Sequence, residues 1–115
     1  MSKDEAAIEQ EIQSKGLKAP RLSPEIIEDA IVGEYFTTLD KAHQGAPIMA
    51  GMDCFTICTL VLKNGHIVIG ESRPVSDANF DEELGRKIAR DNARNKIWAL
   101  EGYLLRQKLH KAKSE

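Results

Sequence analysis

Arg86, Arg90 and Arg94 recur every four residues, so any helix that carries them places them on one side. Guanidinium forks suit phosphate and carboxylate oxygens. The row is therefore either an anion site or a solvated face, with Glu82–Arg86 and Glu83–Lys87 as ordinary i,i+4 pairs. Just upstream, Ser72, Arg73 and Ser76 lead into the start of the same segment, where free backbone N–H groups and the dipole favour a phosphate. Asn92 and Asn95 add two amides beside the arginines. Either they set the register between paired helices, or they read a base edge, since an amide offers one acceptor and two donors. Phe80, Trp98 and Tyr103 are core or interface aromatics, or rings on which a base stacks.

Other chemistry finds no support. The chain has no Ser-His-Asp elbow, no glycine-rich phosphate loop and no HExxH. Glu71, Asp77, Asp81 and His66 lack a spacing that calls for acid–base work. Cys54 and Cys58, four apart on a strand, would lie ~13 Å apart at ~3.3 Å per residue, beyond disulfide reach. His43, His66 and His110 share no metal-ligand spacing with them. The expectation is a non-enzymatic protein with two buried inert thiols, no metal and no cofactor.

The bulk numbers bound the rest. The 115 residues are one domain's worth, 42% hydrophobic and 30% charged. A net charge of −2 and a pI near 5.9 argue against a general nucleic-acid binder. No apolar run approaches the ~20 residues of a membrane span, and the acidic start MSKDEAAIEQE lacks a signal-peptide core. A cytoplasmic protein is expected.

The elements follow from local patterning. Residues 1–22 are loosely patterned and interrupted by Gly16 and Pro20, which reads as a flexible arm before a single α+β domain over 23–115. Ser23-Pro24 starts a helix. Ile26, Ile27, Ala30 and Ile31 carry its apolar face toward Tyr35 and Phe36, and residues 37–52 read as a loop. Asn64-Gly65 between two β-branched runs predicts a hairpin with a two-residue turn. That turn would pair Leu62 with Ile67, Leu60 with Ile69 and Cys58 with Glu71. Both hairpin faces are largely apolar, although a lone antiparallel hairpin keeps one face wet.

Candidate caps at Ser76, Asp77 or Asn79 open a helix over about residues 78–108. Thirty residues at ~1.5 Å each span ~45 Å, more than the ~35 Å of a compact domain this size. One apolar stripe runs through Leu84, Ile88, Trp98, Leu105 and Leu109. A second runs through Gly85, Ala89 and Ala93, where small residues permit close approach, to Ile97, Leu100 and Leu104. The fold expected is an antiparallel hairpin or sheet on a long C-terminal helix, with a shorter N-terminal helix. The surplus apolar surface points to a homo-oligomer through sheet and helix.

A resemblance sharpens this reading. Lys63-Asn64-Gly65, Gly70-Glu71-Ser72, Asn79-Phe80-Asp81, Gly85, Ile88-Ala89, Asn92-Ala93 and Asn95-Lys96-Ile97-Trp98, leading into Leu100-Glu101-Gly102-Tyr103, resemble a family of small tailed-phage proteins. The family is named after the gene forty-nine product of N4 and the gene sixty-six product of Sf6. The same hairpin, NFD connector and KxWxLEGY helix also resemble phage Thoeris anti-defence sponges. Those are oligomers that sequester cyclic ADP-ribose signals without catalysis, and some also hold cyclic oligonucleotides. The resemblance implies ligand roles for Asn79 and Lys96; Ser72, Arg73 and Arg90 join them on physical grounds. His66 after the turn and Ala78 before Asn79 depart from it. The function expected is sequestration of a cyclic nucleotide-type signal. The alternative is an interaction protein that binds a host protein or nucleic acid and has no small-molecule pocket.

Overall fold

The chain forms its first helix inside the segment that reads as an arm, Glu5–Ser14 (α1), in the computed structural model, which describes residues 4–114. The second helix, Pro24–Asp29 (α2), starts as its residues dictate. Ser23 is extended, its Oγ accepts from Ile26 N at 3.3 Å, and Pro24 takes the first helical position. It lasts only six residues. The expected continuation to Phe36 is instead a strand, Ile31–Thr38 (β1), followed by one helical turn, Leu39–Ala42 (α3). Ile31, Val32, Thr37 and Thr38 are β-branched and Gly33 weakens a helix, so pairing with a neighbouring strand overrides the short helical period.

The hairpin forms from Thr56–Leu62 (β2) and Ile67–Ser72 (β3). Its register differs from the expected one by a residue. Of Asn64 and Gly65, only Gly65 has positive φ, at +89°, so the two-residue turn does not form. Gly65 N donates to Leu62 O and Leu62 N to His66 O, both at 2.8 Å, which closes a three-residue loop. Asn64 Oδ1 accepts from His66 N at 3.0 Å, and this side-chain turn stabilises the longer form. The true partners are Val61 with Ile67, Leu60 with Val68, Thr59 with Ile69 and Cys58 with Gly70. Because side chains alternate faces, the slip exchanges the two faces of β3.

The three strands form one antiparallel sheet in the order β1-β2-β3. Its inner face carries Phe36, Cys58, Leu60, Leu62 and Val68 toward the helices. The last helix, Glu82–Ser114 (α4), crosses this face and buries Ala89, Ala93 and Ile97 there. Gly70 makes the crossing close: a Cβ on it would stand 2.1 Å from Ala89 O and 2.2 Å from Ala93 N. The small-residue stripe therefore seats the helix on the sheet, as its spacing predicts. Beyond Ile97 the helix runs past the sheet, with Leu100, Tyr103 and Leu104 exposed and Leu22 beside Gly102. The molecule accordingly measures 57 × 30 × 20 Å.

The outer face of the sheet is apolar and open. Tyr35 is 64% exposed, Ile67 52% and Ile69 46%, with Ile57 and Val61 half-buried between them. A bulge between Ile31 and Gly33 turns Val32 out as well.

Candidate ligand site

The connector from β3 to α4 folds back on the end of the sheet. It encloses a cavity of about 110 Å³ whose lining includes Cys54, Ser72, Arg73, Asn79, Phe80 and Gly85. Three of the five sequence-nominated residues, Ser72, Arg73 and Asn79, therefore meet. A 3-10 turn over Asp77–Asn79 holds Asn79, whose N donates to Ser76 O at 3.0 Å. Arg73 is half exposed and pairs with Asp77 Oδ1 at 3.4 Å. Its guanidinium lies over Gly51, where a Cβ would stand 2.2 Å from Nη2 and push that side chain aside; the φ of +90° is what favours glycine there.

The start of α4 is not a vacant anion site. Asp81 caps it: its Oδ1 accepts from Leu84 N at 2.9 Å and its O from Gly85 N at 2.8 Å. None of the caps nominated from sequence, Ser76, Asp77 or Asn79, takes this role. A carboxylate already faces the helix dipole, and the charge available to a ligand comes from Arg73 alone.

Cys54 and Cys58 are free and buried. Burial pushes both thiols up, Cys58 to about 11, and the carboxylates of Asp53 and Asp77 add to the shift at Cys54. Neither is a thiolate at neutral pH, which agrees with inert packing residues. Thr56 Oγ1 is buried beside Gly85 without a hydrogen-bond partner.

Arg90 and Lys96 do not join the cavity; they lie on opposite flanks of α4. Arg90 donates from Nε to Glu34 at 2.6 Å and from Nη2 to Glu28 at 2.9 Å. The hydrogen bond from Arg90, helped by Arg94 and opposed by burial, holds the Glu28 carboxyl below its usual range. Lys96 Nζ donates to Ile69 O, and Asn92 Nδ2 donates to Glu71 O at 2.9 Å. Residue pairing leaves the carbonyls of Ile69 and Glu71 on the open side of β3. Asn92 and Lys96, one turn apart, thus occupy the acceptors of an edge strand, a role outside both readings of Asn92 from sequence.

The arginine row divides by depth. Arg86 pairs with Glu82 at 3.0 Å and sits 5.5 Å above the Phe36 ring. Arg94 is buried, and its fork grips Glu5 through Nη1 and Nη2 while Nε donates to Glu28. Its place in the row was visible in the spacing, but a buried intramolecular ion pair was neither of the two roles that the spacing suggested. Its partners were not visible there, because Glu28 and Glu5 lie 66 and 89 residues away.

Among the described residues, no group of His, Cys, Asp and Glu has the geometry of a metal site, and no helix is long and apolar enough to cross a membrane. Sheet, helix and connector together define a small α+β protein in which one antiparallel sheet rides on one long helix. The chain belongs to the Phage protein (N4 Gp49/phage Sf6 gene 66) family, whose model matches residues 22–109. No curated protein and no solved structure matches it. The family match covers the sheet and nearly all of α4, and leaves α1 outside.

Proposed function

We propose that this is a phage counter-defence protein that binds and holds a nucleotide-derived signal, such as a cyclic ADP-ribose isomer, without catalysis. The observation that carries this reading is the convergence of Ser72, Arg73 and Asn79 on one cavity at the end of the sheet. Arg73 supplies a fork for a phosphate, Asn79 an amide for a base or ribose edge, and Phe80 an apolar wall. The resemblance of the NFD connector and the KxWxLEGY helix to the Thoeris sponges points the same way.

The cavity of about 110 Å³ takes a phosphate-sized group rather than a whole nucleotide, since ligand pockets span ~300–1,000 Å³. The rest of the ligand must lie over the rim, where a second copy of the chain supplies the missing wall. The open apolar sheet face supports such a homo-oligomer. A sponge acts stoichiometrically, so tight affinity and slow release serve it.

The test is a thermal-shift screen against cyclic ADP-ribose isomers and cyclic di- and trinucleotides, with ATP and NAD as controls. A saturable shift with one cyclic species, lost in Arg73→Ala, with ligand returned intact after denaturation, is the expected result. A chemically altered ligand means an enzyme. The second reading, an interaction protein with no small-molecule pocket, draws on the engagement of Arg73, Arg90 and Lys96 by protein partners. A flat screen on folded protein favours it, and steep salt dependence would single out nucleic acid as the partner.

A further inference from the structure

Arg94 is only 7% exposed, yet one of its partners, Glu5, comes from outside the family-matched region. Glu5 sits on α1 and presents Oε2 to Nη1 and Oε1 to Nη2, the latter at 2.6 Å. Pro24 O accepts from Nη2 at 3.2 Å, and Glu28 takes Nε. Little else fastens the helix. Glu5 is its one buried residue, Ile12 is only half-buried, Ile8 is 44% exposed, and nearby Leu17 is 56% exposed. The second anchor, Glu9 on Arg21 at 2.7 and 2.8 Å, is again an ion pair. Charge rather than apolar burial therefore holds α1 in place.

We propose that the Arg94 fork is an oxyanion site and that α1 is a displaceable latch, with the Glu5 carboxylate standing in cis where a phosphate or pyrophosphate group docks. A carboxylate and a phosphate offer the same pair of oxygens to a guanidinium. An incoming phosphate restores the bonds that Glu5 gives up at Nη1 and Nη2, while Glu28 keeps Nε and its carboxylate opposes part of the added charge. Gly16, at φ +66°, closes the helix, with its N donating to Gln13 O and Leu17 N to Ile12 O, so α1 would leave as one unit on the link of residues 17–21 to the matched region. Affinity for the anion in the intact chain is reduced by the fraction of time that the latch is open. This site is separate from the connector cavity and does not depend on a ligand binding there.

Hydrogen exchange on the full chain tests the proposal. Inorganic pyrophosphate should speed exchange of amides 5–14 at least threefold over sodium chloride of equal ionic strength. ADP-ribose serves as the second probe, and the stronger of the two shows whether a free or a nucleotide-borne pyrophosphate is preferred. Glu5→Gln should bind pyrophosphate at least tenfold more tightly than the wild type by calorimetry, and adding Arg94→Lys should remove that gain. Arg73→Ala should leave the effect intact, which separates this site from the connector cavity. Exchange no faster than in chloride overturns the proposal, as does a folded Glu5→Gln with unchanged affinity. The exchange measurement needs no variant, so it decides even if Glu5→Gln fails to fold.

Discussion

At the scale of single residues, Arg94 and Glu28 show how far a polar spacing can be read. The i,i+4 row of arginines implied either solvent or an anion, and the answer for Arg90 and Arg94 is a third one, intramolecular carboxylates. A guanidinium row announces that oxygens will be near it; it carries no information about which oxygens, when they come from sequence positions far away. Removing Arg94 leaves Glu5 and Glu28 facing each other without their shared cation. Arg94→Leu should therefore cost about 3–5 kcal/mol in urea unfolding. The carboxylates also set an acid limit. Because Glu28 is held below its usual range when folded, it contributes stability above the ordinary glutamate value of about 4.3. That contribution is lost as pH falls through its folded value. Glu9, lowered to about 2 chiefly by the hydrogen bond from Arg21, has the same sign. The melting temperature should thus hold near neutrality and drop between about pH 4 and pH 2, and Glu28→Gln should lower it at pH 7 while flattening the acid limb.

At the scale of elements, the long helix and the presence of the hairpin were legible, and their exact seating was not. Gly85, Ala89 and Ala93 announced a close approach on one helix face, and Gly70 is the reciprocal notch on the strand. The Asn-Gly pair announced a turn, but the same two residues suit both a two-residue and a three-residue closure. The choice rests on the Asn64 side chain bonding to His66 N, which a propensity cannot weigh. The first strand was missed because Ile26, Ile27, Ala30 and Ile31 satisfy a helical period for just over one turn. The evidence against a longer helix lies in the pairing of β1 with β2, a contact between segments distant in sequence. Two glycine substitutions test this account. Gly70→Ala drives a Cβ into the α4 backbone and should cost more than about 3 kcal/mol. Gly102→Ala meets only the end of Leu22 at 3.8 Å, and should stabilise by up to about 1 kcal/mol through helix propensity. Urea midpoints measured in parallel distinguish the two.

At the scale of the whole molecule, one chain leaves apolar surface on the outer sheet face and along the overhanging end of α4. The expectation of an oligomer rests on that surplus, and solution mass checks it. Light scattering should give at least twice the 12.8 kDa of the chain. Ile69→Glu, on the open face, should return it to the monomer mass with unchanged circular dichroism, and a wild-type mass of one chain would remove the second copy from the ligand site.

The pairing of Asn92 and Lys96 with the edge of β3 bears on how such copies can add. Growth of a ribbon from chain to chain needs two free rims per copy, one to receive and one to offer. Here the carbonyls of Ile69 and Glu71 already hold side-chain donors from their own helix. A strand arriving at that rim must share those carbonyls with the side-chain donors or displace them, which disfavours edgewise joining there relative to the other rim. The same two side chains that steady the helix on the sheet thereby weigh against fibre formation, which matters for a small protein with an uncovered apolar sheet.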